Sequence, residues 1–376
     1  MSRVLVVGGG VAGCMAAVAA AREGAEVTLV WRAPGATALY AGAMELTAGL
    51  NGLPAHHPLA RLGMDPLRLG AELDDAAAAL VAGLRGAGLE LAGSWRSPGL
   101  YADIHGRPRR AALVPATVAG GELSALRGRR VAVVGFEPVS EYAAETTAEA
   151  LRELCGLDAF AHPVRVAGLP PGASLADLQG RPAPALGRVR AEAIALPPGL
   201  RGLPDRAFEL LATVPSPHGL ALHTALHAMV EGAGVRVVRA QVSGFAGEPG
   251  RIEAALVAGE RLEGDRFVLA TGRFIGGGLR RDHGLDEPVL GLEVFAAGRP
   301  ARHHSRLAHL EYLDPAPALA AGLMTDEQLR PLAATGRPAY ENLRAAGALL
   351  GGWDEAGPEG FGVPLLTGWL AGRWSA

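Results

Sequence analysis

The sequence of 376 residues contains no lysine, so all 35 of its basic residues are arginine. This absence excludes chemistry that needs a lysine amine, namely a Schiff base, a lysine general base or the phosphate-binding lysine of a Walker motif. The formal net charge is only −3. Such a balance gives no reason to expect nucleic acid or an anionic membrane surface as a general partner.

Cysteine is nearly absent as well, since Cys14 and Cys155 are the only two. Two distant thiols cannot ligate an ordinary four-thiolate iron–sulfur cluster, and the sequence has no C-x-x-C pair for zinc or dithiol exchange. The sequence therefore predicts no metal site, and its low cysteine content favours a reducing, cytoplasmic location.

One long uncharged stretch, Val4 to Ala21, raises the question of a signal peptide or a membrane anchor. Its internal order argues against both. An aliphatic strand, Val4–Val7, is followed by a G-x-G-x-x-G turn at Gly8–Gly13, a helix over Cys14–Glu23 and a second strand at Glu26–Val30. This strand–helix–strand unit is the context in which the motif binds dinucleotides, so no transmembrane insertion is expected.

In that motif the glycines permit a tight turn, close approach to a pyrophosphate and close packing of helix on strand. The free N–H groups of the helix N-terminus favour phosphate. The predicted phosphate-binding residues are Gly8, Gly10, Val11, Ala12 and Gly13.

The acidic residue that should bind the adenosine ribose is missing. Its expected position is occupied by Trp31, followed by Arg32. Either backbone groups hold the ribose or the cofactor is held differently. Arg32 also raises the alternative of a 2′-phosphate and hence NADP, which the later motifs outweigh.

Three later stretches follow in the order that a flavin-binding domain would need. They are "RFVLATG" (Arg266–Gly272), "ENLRAAGALLGG" (Glu341–Gly352) and a glycine turn that opens the last, amphipathic helix. Together with the first motif they resemble FAD-dependent oxidoreductases of the glutathione-reductase-like, two-domain type. That resemblance implies further cofactor contacts at Trp31, Arg32, Val242, Ala270, Thr271, Gly272, Gly347, Gly352, Gly360, Phe361 and Gly362. Such flavoproteins often have an Asp where this chain has Ala348, so FMN stays open as an alternative to FAD.

A closer resemblance is carried by "ATGRFIGGGLRRDHGLDEPVLGLEV" (Ala270–Val294) and by the stretch Gly322–Asp354, which contains "TDEQLRP" and "ENL…G…LGG". Both are similar to the B subunit of bacterial anaerobic glycerol-3-phosphate dehydrogenase. "YAGAMEL" (Tyr40–Leu46) matches that family's loop after the second strand, which implies that Gly42 and Ala43 lie near the flavin ring.

The resemblance implies a flavin-dependent dehydrogenase subunit that oxidises sn-glycerol 3-phosphate to dihydroxyacetone phosphate. Its implied partners are a second flavoprotein subunit and an iron–sulfur, membrane-associated subunit that passes electrons to quinone. The chain would then be cytoplasmic, or peripheral at the inner face of the membrane through that partner. Two alternatives are a non-catalytic flavin relay or structural subunit, and an amine or amino-acid dehydrogenase on the same fold.

The expected fold is α/β: a flavin-binding Rossmann domain, discontinuous in sequence, with an inserted α+β cap domain. We assign residues 1–93, 216–285 and 336–376 to the flavin-binding domain, and residues 94–215 and 286–335 to the cap, which would bind substrate or a partner.

The substrate chemistry calls for a base and for arginine forks that hold a phosphate. Candidate bases are His218 and His223, and candidate phosphate ligands are Arg273, Arg280, Arg281 and Arg330. Each of these has a more ordinary interpretation as a packing or surface residue, so no catalytic residue is assigned.

Overall fold

A computed structural model describes residues 1–46, 49–137, 139, 142–166, 168–183, 186–187, 189–214, 216–282, 284–296, 298–301, 317–354 and 360–376. Its α-helices are α1 (Val11–Arg22), α2 (Pro66–Gly86), α3 (Ala116–Ala119), α4 (Ala144–Cys155), α5 (Pro217–Gly232) and α6 (Gly362–Arg373). Its strands are β1 (Arg3–Val7), β2 (Glu26–Trp31), β3 (Leu91–Gly93), β4 (Gly99–Ala102), β5 (Pro108–Ala111), β6 (Leu113–Pro115), β7 (Arg130–Glu137), β8 (Asp158–Arg165), β9 (Ala193–Leu196), β10 (Ala207–Glu209), β11 (Arg236–Arg239), β12 (Val242–Glu248), β13 (Arg251–Val257), β14 (Glu260–Glu263), β15 (Arg266–Leu269), β16 (Arg280–Arg281), β17 (Leu285–Asp286), β18 (Val294–Ala296), β19 (Arg299–Pro300), β20 (Gly322–Leu323) and β21 (Leu343–Ala345).

The chain forms two compact units. Unit 1 comprises Met1–Thr37, Leu46–Gly88 and His223–Ala376, and unit 2 comprises Ala38–Glu45 and Leu89–Leu222. The expected assignment of residues to a cofactor domain and a cap domain remains a prediction, although residues 286–335 belong to unit 1.

Unit 1 is built on a five-stranded parallel sheet in the order β11-β2-β1-β15-β21. The central strands β1 and β15 are aliphatic and almost wholly buried, as a parallel sheet covered on both faces requires. Helix α1 connects β1 to β2 and is buried from Val11 to Ala20. This is the strand–helix–strand unit that the opening sequence predicts.

Helix α6 packs against α1 through glycine. A Cβ at Gly368 would lie 2.3 Å from the carbonyl oxygen of Ala12, and one at Gly372 would lie 2.2 Å from that of Ala16. Any larger side chain would push the helices apart. The glycines of the last helix therefore set how closely it approaches the helix that follows the first motif.

Unit 2 contains a four-stranded parallel sheet in the order β10-β9-β7-β8, with α4 connecting β7 to β8. Two antiparallel pairs, β3-β6 and β4-β5, accompany it. The main sheet is thus wound in parallel, while the antiparallel character expected of an α+β cap is confined to the short pairs. In the described part of the chain, no helix combines the length and hydropathy of a membrane span.

Candidate functional site

The turn between β1 and α1 is so tight that only glycine fits at two of its positions. Gly8 has φ = +123°, and a Cβ there would lie 2.1 Å from the carbonyl oxygen of Ala270. A Cβ at Gly13 would lie 1.8 Å from the carbonyl oxygen of Gly8. The spacing of the motif is therefore imposed by contacts between β1, α1 and the loop after β15.

The N-terminus of α1 suits an anion. Gly10 is its N-cap residue, no side chain caps it, and its first turn has no acidic residue. The Val11 N–H donates to Thr37 Oγ1 at 3.3 Å, a long hydrogen bond. Unsatisfied N–H groups and the helix dipole together favour a phosphate at this point.

The loop after β15 lies beside this turn. The Ala270 N–H donates to the carbonyl oxygen of Val7 at 2.8 Å, which extends the sheet by one residue. Gly272 then turns the chain with φ = +74°, and Gly278 lies so close that its Cβ would be 2.0 Å from the Gly272 oxygen. Thr271 Oγ1 is buried without a hydrogen-bond partner among the described residues.

Gly347, after the last strand, also reaches the first turn of α1. Its φ is +79°, and a Cβ there would lie 2.6 Å from the Cβ of Ala12. The Gly347 N–H donates to Thr367 Oγ1 of α6 at 2.9 Å. Thus the late strand, the last helix and the first motif meet in unit 1, as the sequence order indicates.

The glycine turn before α6 is closely packed. Phe361, the N-cap of α6, is buried, Gly360 is half-buried, and a Cβ at Gly362 would lie 1.5 Å from the carbonyl oxygen of Leu46. Gly352 has φ = +90°, and a Cβ there would lie 2.1 Å from the carbonyl oxygen of His56. Gly352 thus packs on the His56 backbone.

An aromatic cluster stands where the ribose-binding acid was expected. The Trp31 ring centroid is 4.1 Å from that of His227 and 5.2 Å from that of His223, and Arg239 lies over the Trp31 ring at 5.4 Å. His227 Nε2 is 3.0 Å from the carbonyl oxygen of Gly9, inside the motif. Helix α5 therefore supplies two imidazoles to the end of β2.

Three polar atoms of this cluster, Trp31 Nε1, His223 Nδ1 and His227 Nδ1, are buried and have no hydrogen-bond partner in the described part of the chain. Burial, with the charge of Arg239 and the neighbouring imidazole, lowers the pKa of His223 to about 4. Burial also lowers the pKa of His227. Both imidazoles are therefore neutral near pH 7.

In unit 2, the Tyr40–Leu46 loop packs on His218. Gly42 has φ = +98°, and a Cβ there would lie 2.9 Å from Cδ2 of the His218 ring, while Ala43 beside it is buried. His218 Nε2 lies 3.8 Å from Oε2 of the buried Glu209 and 3.4 Å from the carbonyl oxygen of Leu210. Burial lowers the pKa of His218 despite the attraction of Glu209.

The arginine candidates are largely engaged within the protein. The buried Arg273 guanidinium donates to the carbonyl oxygens of Leu319, Ala348, Leu350 and Trp353. Arg330 Nε donates to Asp326 Oδ2 at 2.7 Å. Arg32 is exposed and donates to Gln241 Oε1 at 3.0 Å, whereas Arg280 and Arg281 are exposed on β16. Arg273 thus fixes a loop instead of presenting a free fork.

Unit 1 brings together the phosphate turn, Trp31, His223, Ala270, Thr271 and Gly347. Arg330 pairs with Asp326, and Val242 is buried in the antiparallel pair with β13. The sequence did not identify three residues that contact the turn or its flank, namely His227, Thr37 and Arg239. A signal was available for one of them, because His223 and His227 share a helix face at i, i+4 spacing.

FAD fits the residues of unit 1. The glycines of the turn let β1, α1 and the Ala270 loop approach closely, and the N-cap residue of α1 has no capping side chain, as a pyrophosphate site requires. Buried polar atoms without partners among the described residues stand at the end of β2 and in the Thr271 loop. Such atoms are costly unless a ligand satisfies them. Within the described ranges no group of three side chains is arranged to hold a metal ion.

Two family models match the chain. One describes an FAD binding domain and matches residues 189–360, and the other describes glucose inhibited division protein A and matches residues 3–56. These matches confirm the expected FAD-binding flavoprotein fold and support FAD over FMN. A solved 3-ketosteroid-Δ4-(5α)-dehydrogenase from Rhodococcus jostii aligns over 100% of this chain and 97% of its own, with 16% identity and a TM-score of 0.43.

Curated relatives match nearly the full length. A Halobacterium salinarum protein, named as a probable B subunit of anaerobic glycerol-3-phosphate dehydrogenase, is 30% identical over 437 residues, covering 100% of this chain and 98% of the relative. The B subunit of the Yersinia pestis anaerobic glycerol-3-phosphate dehydrogenase is 29% identical over 405 residues, covering 93% and 92%. The chain is a flavin-dependent oxidoreductase subunit with FAD as its cofactor. On this similarity along its whole length, the chain belongs to the family of B subunits of anaerobic glycerol-3-phosphate dehydrogenase.

Proposed function

We propose that this chain is the flavoprotein subunit of a complex that oxidises sn-glycerol 3-phosphate to dihydroxyacetone phosphate. The observation that carries the proposal is the full-length similarity to relatives that bear this activity in their names. Bound FAD would accept the hydride from the secondary alcohol carbon. The phosphate turn, Thr271 and the Trp31 cluster of unit 1 would hold the cofactor.

His218 is the residue that we propose accepts the hydroxyl proton. Its Nε2 faces only acceptors, Glu209 Oε2 and the carbonyl oxygen of Leu210, so Nε2 carries the proton of the neutral ring. Nδ1 is then the basic nitrogen. Because its pKa is lowered, His218 is in the neutral, proton-accepting form near pH 7.

Glu209 is itself held in place. Its Oε2 accepts a hydrogen bond from Thr117 Oγ1 at 2.6 Å, and its Oε1 accepts one from the Gly199 N–H at 2.6 Å. A fixed carboxylate behind an imidazole orients the ring and stabilises the imidazolium that forms when it takes up a proton. The Gly42 loop, which the family resemblance associates with the flavin ring, packs on this same imidazole.

We further propose that the chain passes its electrons to an iron–sulfur, membrane-associated partner and from there to quinone, alongside a second flavoprotein subunit. This division of work is supported by the subunit naming of the relatives and by the two cysteines of this chain. The chain would then lie at the inner face of the membrane through its partner.

One observation favours a second candidate, an electron-relay subunit without substrate chemistry. Two of the candidate phosphate ligands, Arg273 and Arg330, have protein partners, so neither is assigned as a phosphate ligand. In that case a partner subunit would oxidise the substrate.

Anaerobic titration with sn-glycerol 3-phosphate separates these functions. Bleaching of the visible flavin band in the isolated full chain supports the dehydrogenase, whereas bleaching only in the co-expressed complex supports the relay. Absence of bleaching in both overturns the proposal.

Replacing His218 by Asn is expected to slow flavin reduction by about 10²–10⁴-fold. FAD content should be unchanged, and the loss should be greatest where the wild-type imidazole is neutral. His105→Gln is the matched control, because His105 is exposed on a turn of the same unit. Equal rates in the two variants would remove His218 from the mechanism.

A further inference from the structure

The end of β2 poses a chemical problem for an FAD site. A carboxylate at this point normally accepts hydrogen bonds from the adenosine ribose hydroxyls. Trp31 has no acceptor atom, and Arg32 has only donors. A side-chain acceptor for the ribose would therefore have to come from another residue near the Gly8–Gly13 turn.

His227 meets that description. It is almost wholly buried, since only 6% of its surface is exposed, and its Cε1 would lie 3.0 Å from a Cβ placed at Gly9. Its Nε2 lies 3.0 Å from the carbonyl oxygen of Gly9. A carbonyl oxygen only accepts, so Nε2 must be the nitrogen that carries the proton. In the neutral imidazole, Nδ1 is then an acceptor.

That acceptor is unused by the described part of the protein. His227 Nδ1 has no hydrogen-bond partner there and is closed to solvent. A buried acceptor left unsatisfied costs about 1–3 kcal/mol. Burial and the charge of Arg239 lower the pKa of His227, which keeps the ring neutral and Nδ1 free to accept near pH 7.

Trp31 supplies the complementary group. Its Nε1 is a donor, likewise buried without a described partner, and its ring packs on His227. Each ribose hydroxyl both donates and accepts. The His227 Nδ1 acceptor and the Trp31 Nε1 donor are therefore matched together to a ribose hydroxyl. The indole is half-buried at the strand end, so part of its ring is open to a ligand.

We propose that His227 replaces the missing acidic residue, its Nδ1 accepting a hydrogen bond from an adenosine ribose hydroxyl while Trp31 covers the ribose. The inference concerns cofactor recognition and is independent of which substrate the flavin oxidises. Such a contact would make the site specific for an unmodified ribose. The oxygens of a 2′-phosphate are acceptors, so they could not donate a hydrogen bond to His227 Nδ1.

The test compares ligands that differ only at the ribose. The flavin-free full chain is titrated with ADP, 2′-deoxy-ADP, 3′-deoxy-ADP and 2′-phospho-ADP, and binding is followed by calorimetry. Wild-type protein is expected to bind ADP about tenfold more tightly than at least one of the deoxy ligands, the value of one lost hydrogen bond at a buried acceptor. Tighter binding of 2′-phospho-ADP than of ADP would overturn the proposal in favour of an arginine-based phosphate site.

His227→Phe keeps an aromatic ring in the cluster but removes the acceptor. It is expected to weaken ADP and FAD binding about tenfold and to abolish the discrimination against deoxy ligands. His57→Phe is the control, since His57 is also a buried histidine of unit 1 but lies outside the cluster of Trp31, His223 and His227. This control should keep the discrimination.

Unfolding in urea without ligand checks that both variants fold. If His227→Phe does not fold, His227→Gln is measured instead. Its side chain retains an acceptor, so this variant should keep the preference for ADP over the deoxy ligands. Discrimination that survives in folded His227→Phe would show that the imidazole only packs, and would overturn the proposal.

Discussion

Two buried histidines make the stability of this protein depend on pH. Burial lowers the pKa of His57 to about 4, with neighbouring His56 adding to the effect, and burial lowers that of His223 to about 4 as well. The ordinary value is 6.5. In the unfolded chain these rings take up protons near that value, whereas in the folded chain they do so only near pH 4.

The free energy of unfolding is therefore expected to fall as the pH is lowered from about 6.5 to about 4, because the unfolded state binds more protons in that window. Urea denaturation at a series of pH values measures it. His223→Phe should flatten the slope between pH 6.5 and 4.5, and exposed His105→Gln should not. A slope that is identical in wild type and His223→Phe would contradict the assigned pKa shift.

For individual residues, the sequence predicted the positions of the motif glycines well but not the contacts of the histidine side chains. Gly8 and Gly13 could be located because the spacing of the dinucleotide motif is known. A Cβ at Gly13 would meet the Gly8 oxygen within that motif, whereas one at Gly8 would meet Ala270, which is distant in sequence. Trp31 could be recognised as a departure from that motif. His227 could not be placed on Gly9, because 218 residues separate them and only the folded sheet brings α5 beside the turn.

Among the elements, α6 and α1 depend on close contact of their backbones. We expect Gly368→Ala to lower the free energy of unfolding by about 1–3 kcal/mol, because its Cβ would lie 2.3 Å from the Ala12 oxygen and neither backbone can yield easily. Since Ala12 belongs to the first turn of α1, bound FAD should also be lost more readily. Urea denaturation and flavin content measure the two effects.

Gly232→Ala is the matched helix substitution for that experiment. Gly232 ends α5, and no heavy atom of the described residues lies within 4 Å of the position its Cβ would take. The free energy of unfolding of Gly232→Ala should differ from that of the wild type by less than about 1 kcal/mol. Similar losses in both variants would mean that the helix–helix contact is not what Gly368 maintains.

Element type and order were largely readable from the sequence. The β1–α1–β2 unit and the β15 strand follow their patterns, since apolar runs and glycine turns act locally. The last helix begins at its glycine turn but is buried on nearly every side, so the expectation that it is amphipathic was wrong. Unit 2 was harder. The pairing of β7, β8, β9 and β10 into one parallel sheet could not be predicted, because strand order depends on contacts distant in sequence.

For the whole molecule, the distribution of thiols limits which redox centre the chain can hold. Cys14 is fully buried with Sγ 3.6 Å from the Gly9 oxygen, and burial raises its pKa to about 12, so it stays a protonated thiol. Cys155 alone cannot anchor an iron–sulfur cluster. Onward single-electron transfer would then fall to a partner subunit.

The isolated full chain is accordingly expected to contain FAD but no stoichiometric iron or acid-labile sulfide. The co-expressed complex should contain both, and flavin reduced by substrate should be reoxidised by a quinone only in that complex. Iron and sulfide analysis with visible spectroscopy provides the measurement. A stoichiometric cluster in the isolated chain would contradict the expected division of work.

By itself, the sequence determined the dinucleotide motif, the order of the flavin-binding stretches and the family, because these depend on local spacing and on residue identity. Only the tertiary structure decided which side chains lie beside the motif in unit 1 and what the other candidate residues contact within their own units. It turned Arg273 inward onto backbone carbonyls, packed Gly42 on His218 and brought His227 to Gly9. Such contacts form between segments far apart in the chain, so their geometry is set by sheet order and helix packing, which no local pattern encodes.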